Sequence, residues 1–222
     1  MPLLCRYPRR STEHFIEQEA CEIMPEQDVF VMADRALNNV VQQIRDDQWG
    51  MEMPPEFAMR QSDRKVTLRE VINYHAYDDA WVPEMLAGRS MAEVGQDEFD
   101  GDLLGDDPKR SFAEIVDKAC VAAAALDDPD RTVHCSFGDF RAQEYLWQIN
   151  SFRGLRAHDI AKVIGVDTAL PADLVVGLWE ELEPHAEQWR QIGVFGPKVD
   201  VPASASLQDR LLGLTGRPPD AG

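Results

Sequence analysis

The stretch Thr67 to Gly88, TLREVINYHAYDDAWVPEMLAG, constrains the fold more than any other part of the chain. Thr67 followed three residues later by Glu70 is a capping box, each side chain bonding the other's free N–H, and it predicts a helix start. At about 100° per residue, Leu68, Val71, Ile72, Val82 and Leu86 fall on one face. His75 lies near the middle of that face, with Asp78 and Asp79 just inside its edges. Burying such groups is costly unless they are paired, hydrogen-bonded or metal-bound. Something elsewhere in the chain must answer them.

The other segments are read against that helix. Residues 1–23 mix charge, proline and scattered apolar groups, and read as an extended arm with Phe15 and Ile16 as anchors. Pro25 suits a first helical position. Val29, Met32, Ala36, Val40 and Ile44 follow at helical spacing, widened by Phe30, Ala33, Leu37 and Val41, which predicts a long helix ending near Asp47. Residues 88–110 are acidic and contain several glycines, and read as a solvated crossover rather than a lid or a calcium loop. Ser111 and Glu114 form a second capping box, opening a helix through Leu126. RTVHCSFGDF is a short irregular or extended passage, in which the adjacent His134 and Cys135 make no metal motif.

Asp139 is then positioned to cap a helix running to Ile164 and stopped by Gly165. Its inner face carries Ala142, Tyr145, Leu146, Ile149, Phe152 and Ile160, with Arg156 near the centre, Arg153 beside it and His158 on the opposite side. Gly154 admits a bend or a close neighbour. Pro171 starts a further helix, and a short one begins at Ser206. The pattern predicts an all-α protein, an up-and-down four-helix bundle with long crossover loops and a short C-terminal extension. The divisions are 1–23 for the arm, 24–193 for the bundle and 194–222 for the extended segment with its short helix.

With 222 residues and 44% hydrophobic composition the chain can bury a full core. Its formal charge of −18 argues against a nucleic-acid backbone or an anionic membrane as partner. No apolar run approaches the roughly 20 residues of a membrane span. The start MPLLCRYPRR is not patterned as a secretory signal. Four cysteines without CxxC pairing point to a reducing cytoplasm. Walker, Rossmann and nucleophile-elbow patterns are missing, so nucleotide and hydrolase readings have no footing.

Two helices thus present polar groups inward: His75, Asp78 and Asp79 on one, Arg153 and Arg156 on the other. His75 and Asp79 at i, i+4 are compatible with metal ligation, whereas Arg156 opposes it, since a fixed cation disfavours a divalent ion nearby. Guanidinium with carboxylate across the bundle is the better pairing. The residues leave three readings open: a buried ion-pair network that fixes register, a metal-free site, and a metal site. Tyr74, Tyr77 and Trp81 on the helix flank read as packing.

Four stretches, ADRALNNVVQQIRDDQW, TLREVINYHAYDDAWVPEMLAG, SFGDFRAQEYLWQINSFRGLRAHDIAKVIG and GPKVDVPASASLQDRLLGLTGR, together resemble the DinB-like helical-bundle superfamily. Within it the chain is most similar to actinobacterial relatives of the mycothiol-dependent maleylpyruvate isomerase amino-terminal domain. The resemblance implies a histidine on the second helix and an acidic residue and histidine at i, i+4 on the fourth, holding a metal that generates or positions a thiolate. Aligned on Arg69, Asn73 and Trp81, this chain has Tyr74 at the first ligand position. Aligned on Leu146, Trp147, Asp159 and Ala161, it has Phe152 and Arg156 at the others. A one-residue shift restores His75; none restores the pair on the fourth helix. The implied protein is a cytoplasmic isomerase or thiol-transferase-like enzyme whose metal is replaced by the Arg156 guanidinium, held by Asp78 or Asp79. His75, Asp78, Asp79 and Arg156 would be catalytic, and Tyr74, Phe152 and Arg153 would bind a small molecule or thiol conjugate, with mycothiol as a candidate co-substrate. The alternatives are a non-catalytic homologue, dimeric through helix faces, and a zinc or nickel enzyme using His75.

Overall fold

The computed structural model describes residues 24–57, 65–136 and 138–219. The expected arm, 1–23, lies outside them. The described residues are mostly helical, with eight α-helices and one two-stranded hairpin. The four longest helices are α1 (Glu26–Val41), α2 (Leu68–Leu86), α4 (Pro108–Ala124) and α5 (Ala142–Ile164). α1 packs on α5 and on α4, and α2 packs on α4. The shorter helices are α3 (Met91–Val94), α6 (Ala172–Leu182), α7 (Ala186–Gln191) and α8 (Leu207–Leu214). No helix among them is long and apolar enough to cross a membrane.

The capping box of α2 forms as read: the Thr67 hydroxyl accepts from Glu70 N–H at 3.3 Å, and the Glu70 carboxylate accepts from Thr67 N–H at 2.8 Å. Several boundaries differ from expectation. α1 ends at Val41: Gln42 makes the last helical bond, to Asn38, and Gln43 and Ile44 then tighten into turn bonds to Val40 and Val41 instead of continuing the ladder. α4 begins at Pro108, not Ser111: the Asp107 side chain accepts from Arg110 N–H and proline occupies the first position, where its missing N–H costs nothing. Asp139 does not cap α5. It sits in β2 (Gly138–Arg141), paired antiparallel with β1 (Thr132–Cys135), where it faces His134 and bonds its Nδ1 at 2.9 Å. α5 ends as expected at Gly165, in the left-handed region at φ 74°.

Two glycines set the packing of α6. A Cβ on Gly154 would lie 2.6 Å from Leu178 Cδ1, and one on Gly177 would lie 2.7 Å from Val29 Cγ2. A side chain at either position would push Leu178 or Val29 aside, so the glycines let α6 pack closely on α5 and α1. The crossover between α2 and α4 is pinned rather than loose. Arg69 donates to Asp102 and to the Gly105 carbonyl, Asn73 bonds Gly101 and Leu103, and Leu104 is fully buried. Asp102 thereby serves an arginine.

Candidate functional site

A cavity of about 440 Å³ opens between α2 and α5, floored by the β1–β2 hairpin and closed at one side by Trp189 of α7. α2 contributes Tyr74, His75, Tyr77, Asp78 and Trp81; α5 contributes Tyr145, Ile149, Phe152, Arg153 and Arg156. Six of the seven residues singled out from the sequence therefore line one cavity. Asp79 is the exception: it is fully buried and stands behind the wall.

What Asp79 does there alters the expected pairing. It holds Arg153, not Arg156, accepting from Nε at 2.7 Å and also from Nη2. Arg153 is 1% exposed, lies over the Phe30 ring at 4.9 Å, and gives its Nη1 to the Ile149 carbonyl at 3.2 Å. Asp34 of α1, also fully buried, comes within 3.4 Å of Arg153 Nε and receives the Cys120 thiol at 3.8 Å. Two carboxyl groups thus share one guanidinium away from water. Burial, and then the Asp79 charge, push Asp34 well above the usual carboxylate range; Asp79 is raised less because Arg153 opposes its desolvation. Asp34 Oδ1 and Asp79 Oδ2 are buried without a hydrogen-bond partner, and a proton shared between the two neighbouring carboxyls, held mainly on Asp34, would supply one. Arg153 stays a cation, since the carboxyl groups outweigh its desolvation.

Arg156 occupies the outer level. It stacks over Phe57 at 4.4 Å and approaches Asp159 at 4.0 Å. Asp159 accepts from Arg217 at 2.8 and 2.9 Å and from His158 at 3.3 Å, which hold it at about 2 despite burial. His158, read as projecting away from the core, is buried as well, at 1% exposure.

His75 and Asp78 complete the cavity as its titratable pair. His75 is 4% exposed, and its ring makes no hydrogen bond among the described residues. Burial first, and then Arg156 and Arg153, push its pKa well below the ordinary imidazole value, so it is neutral at pH 7. Asp78, also without a hydrogen bond among the described residues, is pushed up to about 6 by burial, against the pull of Arg153. A neutral imidazole and a carboxylate poised near neutrality, one helical turn apart, are a pair suited to holding or passing a proton.

Sequence reasoning missed Asp34, Tyr145 and Cys135. Asp34 was legible: Phe30, Asp34, Leu37 and Val41 share one face of α1 at helical spacing. Helical phase marks Tyr145 only as core, and Cys135 reaches the cavity because the hairpin folds under it. Cys135 is no nucleophile at neutral pH, since burial and Asp139 push its thiol up to about 11.

A divalent ion does not fit this set of side chains. Phe152 and Arg156 face the cavity from α5 where ligands would be needed, both guanidinium groups bear on His75, and among the described residues no group of three His, Cys, Asp or Glu side chains is placed to hold a metal ion. Comparisons with family models, with curated proteins and with solved structures returned no match.

Proposed function

We propose that this chain is a DinB-like bundle protein that binds a small molecule in the α2–α5 cavity without a metal, with Asp78 and His75 as its proton-handling groups. The observation that carries the reading is the two-level arrangement of arginines. Arg153 is locked below by Asp79 and Asp34, while Arg156, His75 and Asp78 line an open space of about 440 Å³, within the usual size range of ligand pockets. A bundle whose polar residues only fixed helix register would close around its ion pair; here the pair is closed and a cavity remains above it. The reaction class suggested by the resemblance is isomerisation or transfer on a small molecule or thiol conjugate. Asp78 would take up and return a proton near neutral pH, with His75 donating or accepting a hydrogen bond.

A thermal-shift screen of a broad set of small metabolites, thiol conjugates included, tests this. Ligands should raise the Tm of the wild-type chain by several degrees and lose that effect in Ile149→Trp, which fills the cavity. A set that shifts both proteins equally, or neither, would defeat the reading. Near-stoichiometric zinc or nickel in unchelated protein would defeat its metal-free part.

A further inference from the structure

We propose that the α2–α5 cavity takes a carboxylate carried on a flat apolar body, and takes it up together with a proton. This deepens the small-molecule reading above and rests on it. The walls supply the apolar part: Tyr77 and Trp81 from α2, Tyr145 and Phe152 from α5, and Trp189 from α7 present aromatic surface, which favours a planar ligand over a branched one. The polar end carries two guanidinium groups, Arg153 and Arg156, one turn apart on α5 and both lining the cavity beside His75. His75 is buried, lines the cavity and makes no hydrogen bond among the described residues, so it has a bond to give to a ligand oxygen. Planar guanidinium groups select carboxylates over neutral oxygens.

The proton follows from what faces Asp78. On its own helix these groups are Asp79 and His75. From α5 come Arg153, Arg156 and Tyr145, and from β1 Cys135. Asp79 offsets Arg153 and Asp159 offsets Arg156, while Asp78 itself is largely ionised at neutral pH. An incoming carboxylate therefore adds uncompensated negative charge to a desolvated space. Asp78, already poised at about 6, is the group that relieves it by taking a proton from solvent. No covalent bond forms: the ligand enters ionised, and the Asp78 carboxylate becomes a carboxylic acid that donates to it or to a neighbouring oxygen.

The test uses three probes with the same flat body and different charge: trans-cinnamate, cinnamyl alcohol and cinnamylamine. Each is titrated calorimetrically into the full chain, in buffers of contrasting ionisation enthalpy. Cinnamate should bind at least about tenfold tighter than the alcohol, and the amine weakest. Uptake should approach one proton at pH 7, with affinity falling by up to about tenfold per pH unit above about pH 6. Asp78→Asn should abolish proton uptake while keeping the preference for carboxylate, and Arg156→Gln should shrink that preference toward parity. Equal binding of all three probes, or binding of cinnamate without proton uptake, overturns the inference while leaving the cavity as a small-molecule site. Absence of binding by all three, with hits elsewhere in the thermal screen, overturns the ligand class alone. An empty screen as well removes the underlying reading and the inference with it.

Discussion

Replacing Asp79 by asparagine and Asp34 by asparagine are near-isosteric changes a few ångströms apart, yet the structure predicts very different costs. Asp79 is fully buried and accepts two nitrogens of a guanidinium that is itself 1% exposed. Asp79→Asn leaves Arg153 with only Asp34, 3.4 Å from Nε, and strands a buried cation. Breaking a buried pair from one side costs about 3–5 kcal/mol, and at this chain length each kcal/mol lowers Tm by about 2–4 °C, so the loss is roughly 6–20 °C. Asp34 is the carboxyl that keeps its proton, and an amide donates to Asp79 much as the acid does. Asp34→Asn should therefore cost about 1 kcal/mol or less. Because burial raises the Asp34 pKa, its contribution to stability is full below the ordinary carboxylate range. That contribution is lost as pH climbs through the raised folded value. Asp34→Asn cannot ionise and escapes this loss, so it should gain on wild type as pH rises. Urea unfolding followed by far-UV circular dichroism at several pH values, with m held constant, gives both differences. A cost for Asp34→Asn equal to that of Asp79→Asn at pH 7 would refute the shared-proton account.

Three further outcomes follow from particular contacts. Glu181 is 9% exposed, hydrogen-bonded to Asn150 at 2.7 Å, and pushed up to about 8 by burial. Its contribution is full below about pH 4.5 and is lost steadily up to about pH 8, a change of about 5 kcal/mol, so Glu181→Gln should match wild type near pH 4 and exceed it increasingly as pH rises toward 8. Thr67→Ala removes one half of the α2 capping box and should lower stability by about 1 kcal/mol in the same unfolding assay. Cys135, raised to about 11, should react with iodoacetamide at neutral pH far more slowly than a free peptide thiol, as followed by intact-mass spectrometry.

Helical phase and capping made the main body of this structure legible before any coordinates. The α2 box, the Gly165 stop and the close approach admitted by Gly154 follow from local rules that tertiary contacts did not override. Phase also brought Tyr74, His75, Asp78, Phe152, Arg153 and Arg156 to one cavity. What it did not decide is depth. Arg153 and Arg156 are one turn apart on the same face of α5, and which of them sinks into the core depends on where α1 brings Asp34 and Phe30. That is a property of how helices pack, not of either helix alone. The start of α4 failed for a different reason: Asp107–Pro108 and Ser111–Glu114 are both good start signals, and the chain uses the earlier one. The hairpin was missed as such because strands of four residues carry too little alternation to be told from an irregular passage.

The central claim is that buried carboxylates hold the Arg153 guanidinium in the core, beneath a cavity that receives an organic ligand without a metal ion. A crystal structure of protein purified without chelators, with anomalous data at the zinc and nickel edges, tests it directly. The account predicts no anomalous peak near His75, Arg153 seated on Asp79, and any bound density lying beside Arg156 and Asp78. An anomalous peak within coordination distance of His75, or Arg153 turned away from Asp79, would contradict it.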